Sequence, residues 1–439
     1  MPYYKRDLEA CISSYLRSPG DQIALISGAR QTGKSTLIEN LRCDKEKVII
    51  NLWDEERETL AVRHAATFSE FQHILQTVFR FIPDGSRILV IDEAQASENL
   101  CSFIMEMQRK WKGQKVVLLG SLLANLFQKG KPQPVGRTIE FICRPLNFRE
   151  FLRFRDKEDY LGMVTGHDRY SEEIHNLLMD EYRIFLQIGG LPGVVTADKD
   201  GQSLILMYES LLNNLYRDAD RFIGSIQESK HYRVPQYGRI MEIALSSIAH
   251  HLAFPTQNTT LLSSNSPAYR TVLPLVLEAL WAWHLAYTLS FATAQVTSKK
   301  GYSSKKYLFD TGIANFLLTR GMPVQFGGKD QTPAMLLENA VLQDCISFVE
   351  SVKAIQCYRS SNKVTTELDF VVRYKEKTIP LEVKSSTKVK HSTINQFIDF
   401  IQRSGISMGY VVYTGMPETE EIAGKRITYI PPYLIASLF

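Results

Sequence analysis

The chain has 439 residues, 44% hydrophobic and 22% charged, with a net charge of +4. That is the composition of a globular protein with room for two or three cored domains. Nucleic acid is permitted as a partner by such a mild positive charge but would need a local basic patch. The six cysteines form no C-x-x-C pair and have no histidine at ligand spacing, which argues against a zinc site or a disulfide framework. The opening MPYYKRDLEA lacks the apolar run of a signal peptide. The apolar stretch from Leu273 to Tyr287 is interrupted by Glu278 and His284 and is too short to span a bilayer. The expectation is a soluble, cytoplasmic protein with no membrane partner.

Tyr3 to Leu16 carries apolar residues at helical spacing, and Ser18-Pro19-Gly20-Asp21 breaks it. Ile23 to Ile26 reads as a strand. SGARQTGKST follows from Ser27 to Thr36 and fits G-x-x-x-x-G-K-[ST] as Gly28, Gly33, Lys34 and Ser35, opening a helix over Thr36 to Leu41. Through Gly28, Ala29, Arg30, Gln31, Thr32, Gly33, Lys34, Ser35 and Thr36 the loop is expected to wrap a polyphosphate with its N–H groups at a helix N-terminus. Lys34 is assigned to the β/γ-phosphates and Ser35 to Mg²⁺.

VIINLWD, from Val48 to Asp54, predicts a second strand between this loop and the run ILVIDEAQ that ends at Gln95. The latter predicts a buried parallel strand delivering Asp92 and Glu93 to the carboxyl edge of a sheet. Asp92 is expected to hold the Mg²⁺ of an ATP complex and Glu93 to polarise the attacking water. A strand between the two motifs and a Glu after the Asp fit the additional-strand, catalytic-Glu class of P-loop ATPases. Phe68 to Phe79 and Leu100 to Trp111 read as helices, and KVVLLGS as a strand ending at Ser121. Ser121 is either a γ-phosphate sensor or a helix N-cap. Gly136-Arg137 opens a strand that leads to a helix capped near Asn147, and Arg137 is either an arginine finger or a surface ion-pair partner. The βαβα alternation argues for a doubly wound sheet with its ligands at the strand ends.

From Ser171 the period becomes helical, with a glycine stop at Gly189-Gly190 and helices over Ser203 to Tyr216, Arg239 to His251 and Tyr269 to Leu285. With a short strand near Tyr307 to Phe309 this suits a winged-helix module. Tyr269 and Arg270 would lie on its recognition helix, and Lys299, Lys300, Lys305 and Lys306 on its wing or in a solvated loop. Gly327-Gly328 predicts a boundary. Beyond it come a helix from Pro333 to Val352, three strands ending in TIPLEVKSS, the helix INQFIDFIQRS and a strand MGYVVYT.

In this last region Glu338 lies in the helix, Asp369 in one strand, and Glu382 and Lys384 on one face of the next. That is the layout of PD-(D/E)XK nucleases. Glu338, Asp369 and Glu382 are the expected hard-oxygen ligands of a divalent metal, with Lys384 orienting the nucleophile. Ser385, Ser386, Lys388 and Lys390 would rim a phosphate site or be solvated, and Gln396 is a possible accessory residue.

GARQTGKST, VIDEAQ, GSLL, NFREFL, GGLPGVV, KKYLFDTGIA, LLENAV, ELDFVV and LEVKSS together resemble a family of bacterial and archaeal AAA-type ATPases. The C-terminal half of that family is a domain of unknown function similar to PD-(D/E)XK nucleases. Leu119-Gly120-Ser121 stands where the resemblance implies Thr-Gly-Ser. The fold expected is α/β: an AAA-type P-loop NTPase core over 1–160, a helical and winged-helix middle over 161–328, and a restriction-endonuclease-like α/β domain over 329–439. The function expected is a Mg²⁺-dependent ATPase, with self-association as an oligomeric ATPase, coupling nucleotide state to a DNA-directed nuclease-like domain. The alternative is an ATPase switch that binds DNA or a protein partner and whose nuclease fold is inactive. A small-molecule kinase fits poorly, because such enzymes rarely carry so large a C-terminal region.

Overall fold

The computed structural model describes residues 3–127, 136–165, 171–223, 237–252, 254–256, 267–292, 304–326, 330–359 and 367–439. The chain divides into two compact units. One is Met1–Arg144 with Ala282–His284; the other is Pro145–Trp281 with Leu285–Phe439.

The first unit runs α1 (Leu8–Arg17), β1 (Ile23–Ser27), α2 (Lys34–Asn40), β2 (Glu46–Asn51), α3 (Arg57–His64), α4 (Phe68–Thr77), β3 (Arg87–Asp92), α5 (Leu100–Lys110), β4 (Val116–Leu119) and β5 (Thr138–Ile142). Its five strands pair in parallel in the order β2-β3-β4-β1-β5. Alternate residues of the central strands feed two separate cores. Leu25, Leu89, Ile91 and Leu118 pack with Phe71, Phe103 and Trp111 on one face, and Ala24, Ile26, Val90 and Leu119 with Ile12, Leu37 and Ile38 on the other. Burial of both faces explains why these strands read as continuous apolar runs.

The second strand lies between the two motifs in sequence, as expected, but at the sheet edge in space. The strand that separates β1 from β3 is β4. Helix α3 was not anticipated: RETLAVRH buries only Thr59 and Val62, too few apolar positions to show a period.

The second unit comprises α6 (Phe148–Phe154), α7 (Leu161–Thr165), α8 (Glu172–Ile188), α9 (Pro192–Lys199), α10 (Leu204–Asp218), α11 (Tyr237–His250), β6 (Pro255–Thr256), α12 (Pro267–Ala282, whose last residue counts with the first unit), β7 (Ala286–Leu289), β8 (Phe291–Ala292), β9 (Ser304–Leu308), α13 (Thr311–Thr319), α14 (Thr332–Phe348), β10 (Ile355–Arg359), β11 (Glu367–Tyr374), β12 (Lys377–Lys384), α15 (Asn395–Ser404), β13 (Met408–Tyr413), β14 (Glu418–Ile422) and β15 (Lys425–Ile430). Helix α6 starts at a capping box, Asn147 accepting from the Glu150 amide while Glu150 accepts from the Asn147 amide. Helix α8 ends at Gly189, whose φ of 67° favours glycine.

A three-stranded antiparallel sheet has the order β6-β9-β7, and a seven-stranded sheet the order β14-β15-β13-β12-β11-β10-β8. In the larger sheet β10, β11 and β12 form an antiparallel meander, while β13 lies parallel to β12 and β15 parallel to β13.

Three expectations change here. The first cut falls after Arg144 rather than at 160, so helix α6 belongs to the second unit. Apart from Ala282–His284, the described residues of 161–328 and 329–439 share one compact unit, and β8 from the middle region pairs with β10 of the large sheet. The Gly327-Gly328 pair itself lies outside the described residues, as do Lys299 and Lys300. Lys305 and Lys306 are not on an exposed wing; both are buried in β9.

Candidate functional site

All five strands of the first unit point the same way, so Ser27, Asn51, Asp92 and Ile142 end at one edge. The chain leaves β1 through a loop whose conformation depends on its glycines. Gly28 has φ 145°, and a Cβ there would stand 2.1 Å from the Cys143 carbonyl oxygen; Gly33 has φ 86°. Arg6 braces the loop from outside, donating to the Thr32 carbonyl at 2.8 Å and the Arg144 carbonyl at 2.7 Å. Thr32 hydroxyl closes it by donating to the Ala29 carbonyl. The Arg30 guanidinium lies 4.7 Å over the Trp53 ring, while Gln31, Ser35 and Thr36 face outward.

Lys34 is 7% exposed, and its ammonium donates to the Gly28 and Ala29 carbonyls at 2.9 and 2.8 Å. Burial lowers its pKa, against the opposing charges of Glu93 and Asp92. Ser35 Oγ donates to Asp92 Oδ2 at 2.5 Å, and Asp92 Oδ1 accepts from the Glu93 amide. Glu93 adopts φ 50°, which turns it out of the strand line, and accepts from Gln95 Nε2 at 2.5 Å. Burial pushes the Glu93 carboxyl above its ordinary range, and the Asp92 charge adds to this against the Gln95 hydrogen bond.

Ser121 follows β4 at the same edge. Its Oγ is buried with no hydrogen-bond partner among the described residues, so it caps no helix. A Cβ on the preceding Gly120 would meet Gln95 Oε1 at 2.0 Å, the end of a flexible side chain, and that oxygen has no hydrogen-bond partner among the described residues. Arg137 lies away from this edge. Its carbonyl accepts from Ile23 N at the amino end of β5, about 16 Å from the phosphate-loop edge at ~3.3 Å per residue. No path within this unit brings it to the loop.

Two residues at the loop edge were not singled out from sequence. Arg144, two residues past the end of β5, has buried Nε and Nη2 atoms with no partner among the described residues. His284, with φ 58°, places Nε2 3.1 Å from Ser27 Oγ, and burial lowers its pKa to about 4. A lone arginine after a strand and a histidine in a distant apolar stretch carry no motif.

The C-terminal acids do converge, but around an ammonium. Lys305, 2% exposed, lies 3.0 Å from Glu338 Oε1, 3.0 Å from Glu367 Oε1 and 2.9 Å from Asp369 Oδ1. Tyr307 donates to Glu338 Oε1 at 2.6 Å, and Asp369 Oδ2 accepts from the Val383 amide. Lys384 lies 2.5 Å from Glu382 Oε1, leaving Glu382 Oε2 buried and unpartnered among the described residues. Burial opposes the charge on Lys305, yet Asp369 and Glu338 outweigh it and raise its pKa. Burial lifts the Glu338 carboxyl to about 7 and that of Glu382 to about 8, each reinforced by the Asp369 charge. Burial also works against the Asp369 charge, but Lys305 and Lys384 prevail and hold it low.

With one Asp369 oxygen on Lys305 and the other on an amide, the expected ligand set of Glu338, Asp369 and Glu382 does not fit a divalent ion in this arrangement. Among the described residues no group of three or more His, Cys, Asp or Glu side chains could hold a metal. Gln396 accepts from the Glu367 amide at 3.1 Å and so braces the strand that supplies the acids.

Residues 20–152 match the AAA domain family, and residues 334–433 match a domain of unknown function, DUF4143. The chain is 24% identical over 306 residues to the uncharacterized protein MJ1544 of Methanocaldococcus jannaschii, covering 68% of this chain and 63% of that one. It thus spans less than two thirds of that relative's length. It is 23% identical over 434 residues to an uncharacterized protein of Haemophilus influenzae, covering 94% of each. The Walker-type ATPase PABY2304 of Pyrococcus abyssi superposes with a TM-score of 0.43 at 16% identity, over 72% of this chain and 96% of that one. The first unit carries an AAA-type P-loop ATPase domain. No helix among the described residues is long and apolar enough to cross a membrane.

Proposed function

We propose that the chain is a Mg²⁺-dependent ATPase that works as a nucleotide switch on a DNA or protein partner, its nuclease-like C-terminal fold held without a metal. The observation that carries the ATPase reading is the set Lys34, Ser35, Asp92 and Glu93 at one sheet edge, with Lys34 bonded among the described residues only to loop carbonyls. Those bonds are exchangeable, so the ammonium can swing onto the β/γ-phosphate oxygens of ATP while the loop N–H groups hold the rest. Ser35 Oγ and the Asp92 carboxylate, 2.5 Å apart, are the hard oxygens that would hold Mg²⁺. When bound, that ion offsets charge on the phosphates. Glu93, its basicity raised by burial and its carboxylate aimed by Gln95, accepts the proton of the attacking water. Ser121 Oγ, unpartnered beside this edge, is free to donate to the γ-phosphate.

Lys305 bears on the choice between switch and nuclease. An ammonium among three carboxylates stands where a catalytic metal would, and this supports the inactive reading. The nuclease reading is favoured by two features. The order α14-β10-β11-β12-α15-β13, an antiparallel meander followed by a parallel strand, agrees with a restriction-endonuclease-like core. Glu382 Oε2 is also left free. The β6-β9-β7 sheet with α12 supports a winged-helix reading of the middle region and DNA as the partner. The test is ATP turnover measured beside cleavage of plasmid, single-stranded DNA and RNA, with Mg²⁺ or Mn²⁺. Turnover without cleavage, and without metal binding that depends on Asp369, is the expected result. Divalent-dependent cleavage lost in Asp369→Ala would establish the nuclease instead.

A further inference from the structure

We propose that the amino edge of the five-stranded sheet is a docking face for the phosphodiester backbone of duplex DNA. The inference goes beyond the nucleotide cycle, because this face lies at the other end of the strands from Lys34 and shares no residue with that site. Two hollows open there, of about 530 and 420 Å³. Arg17, Arg42 and Lys45 line the larger, and Arg109, Lys112 and Arg137 the smaller. All six are exposed except Arg137, which is half-buried. The hollows adjoin through one turn: Lys112 lines one and Gly113 the other, and the Gly113 amide donates to Asp21 Oδ1 at 2.8 Å.

Beside these six cations and the buried Lys115, which also lines the larger hollow, the linings hold two acids, Asp21 and Asp44. Asp21 is already engaged by the Gly113 amide and, at 3.6 Å, by Lys112; Arg109 is paired with Glu106 at the surface. Arg17, Arg42, Lys45 and Arg137 have no carboxylate partner among the described residues. Like charges gathered this way repel one another and concentrate anions, and releasing condensed counterions from DNA is the favourable exchange that uses them. Cations spread over two adjoining hollows suit a chain of phosphates better than one small anion. No large exposed hydrophobic residue lines either hollow, whereas insertion into a bilayer surface requires an apolar face. Arg137, which the sequence leaves between an arginine finger and a surface ion-pair partner, lines this face.

The test uses the full chain and a labelled duplex, with binding followed by fluorescence anisotropy over a range of salt concentrations. Each lost phosphate contact lowers the log–log salt slope by about 0.9. Arg17→Ala/Arg42→Ala/Lys45→Ala should therefore lower it by about 2 to 3, and Arg109→Ala/Lys112→Ala by about 1 to 2, with ATP turnover retained. Arg17→Lys/Arg42→Lys keeps the charge and should keep the slope, which separates charge loss from misfolding. Lys34→Ala should abolish turnover and leave the slope alone, so the two proposals fail separately. A parent protein that binds no duplex, slopes unchanged in both alanine variants, or binding to anionic lipid vesicles in place of DNA would each overturn the proposal.

Discussion

Lys34 and Lys305 are both buried ammonium groups near acids, and they face opposite fates. Lys34 bonds two backbone carbonyls, and burial pulls its pKa down. Lys305 meets three carboxylates within 3.0 Å, and their charges lift its pKa against burial. A cation held by neutral oxygens gains by exchanging them for phosphate oxygens; one held by carboxylates gains nothing from a ligand. Unpartnered atoms follow the same division. Among the described residues, the unpartnered atoms include Ser121 Oγ, Gln95 Oε1 and two nitrogens of Arg144 near the carboxyl-edge strand ends of the first unit, and Glu382 Oε2 in the second cluster. Buried charge marks a ligand site where its present partners are weak.

The largest effects should come from the exchangeable lysine and its base. Lys34→Ala loses charge-assisted bonds to phosphate worth ~1.5–3 kcal/mol each, so ATP affinity should fall at least ~100-fold by calorimetry. Glu93→Gln should keep that affinity and lose ~10²–10³ in turnover. Equal turnover in Glu93→Gln and the parent would break the comparison at its first term.

Removing the other lysine should act on stability instead. Lys305→Met strands Glu338, Glu367 and Asp369 without their counter-charge, at a cost of ~3–5 kcal/mol in urea unfolding. Adding Glu338→Gln and Asp369→Asn to that variant should recover part of the loss. A change below ~1 kcal/mol would show that Lys305 is not the counter-ion of this cluster.

The acids should also shape the pH profile. Glu382 has a folded pKa of about 8 against an ordinary 4.5, so between those values the folded state holds a proton that the unfolded chain has released. Its contribution therefore declines as pH rises through that window, by up to ~1.4 kcal/mol per pH unit. Glu382→Gln cannot release the proton and should flatten the decline in thermal midpoint from acid to mildly alkaline pH. A parallel pair of curves would place the titration elsewhere.

The smallest effect sharpens the role of Ser121. Its hydroxyl is buried without a partner among the described residues, so Ser121→Ala should leave stability unchanged or raise it by ~1 kcal/mol, while turnover falls ~10-fold. An N-cap serine would do the opposite and lose ~0.5–2 kcal/mol of stability.

Much of this was legible in the residues. The phosphate loop, the strand ending in Asp92 and the helix capped at Asn147 stand where their patterns place them, because each is a local device with a fixed spacing. Glu382 and Lys384 do share a strand face, as a period of two requires. Less was legible at the ends of elements. RITYI forms β15, parallel to β13, and PGVVTADK forms helix α9, and the sequence reading assigns neither element. Pro192 in the first turn of α9 sets its start without any apolar period to announce it.

Sequence by itself determined the nucleotide-binding loop, the acids that face it and the approximate course of the strands, because those depend on neighbours a few residues away. Tertiary structure alone decided three matters. It placed β4, rather than the strand after the loop, between β1 and β3. It set Arg137 at the opposite end of the sheet from the loop. It brought Lys305 from β9 into a cluster whose acids lie 33 to 64 residues farther along the chain. The physical reason is common to all three: strand order and the partner of a buried charge are set by packing between distant segments, and the spacing of residues along the chain carries no record of it.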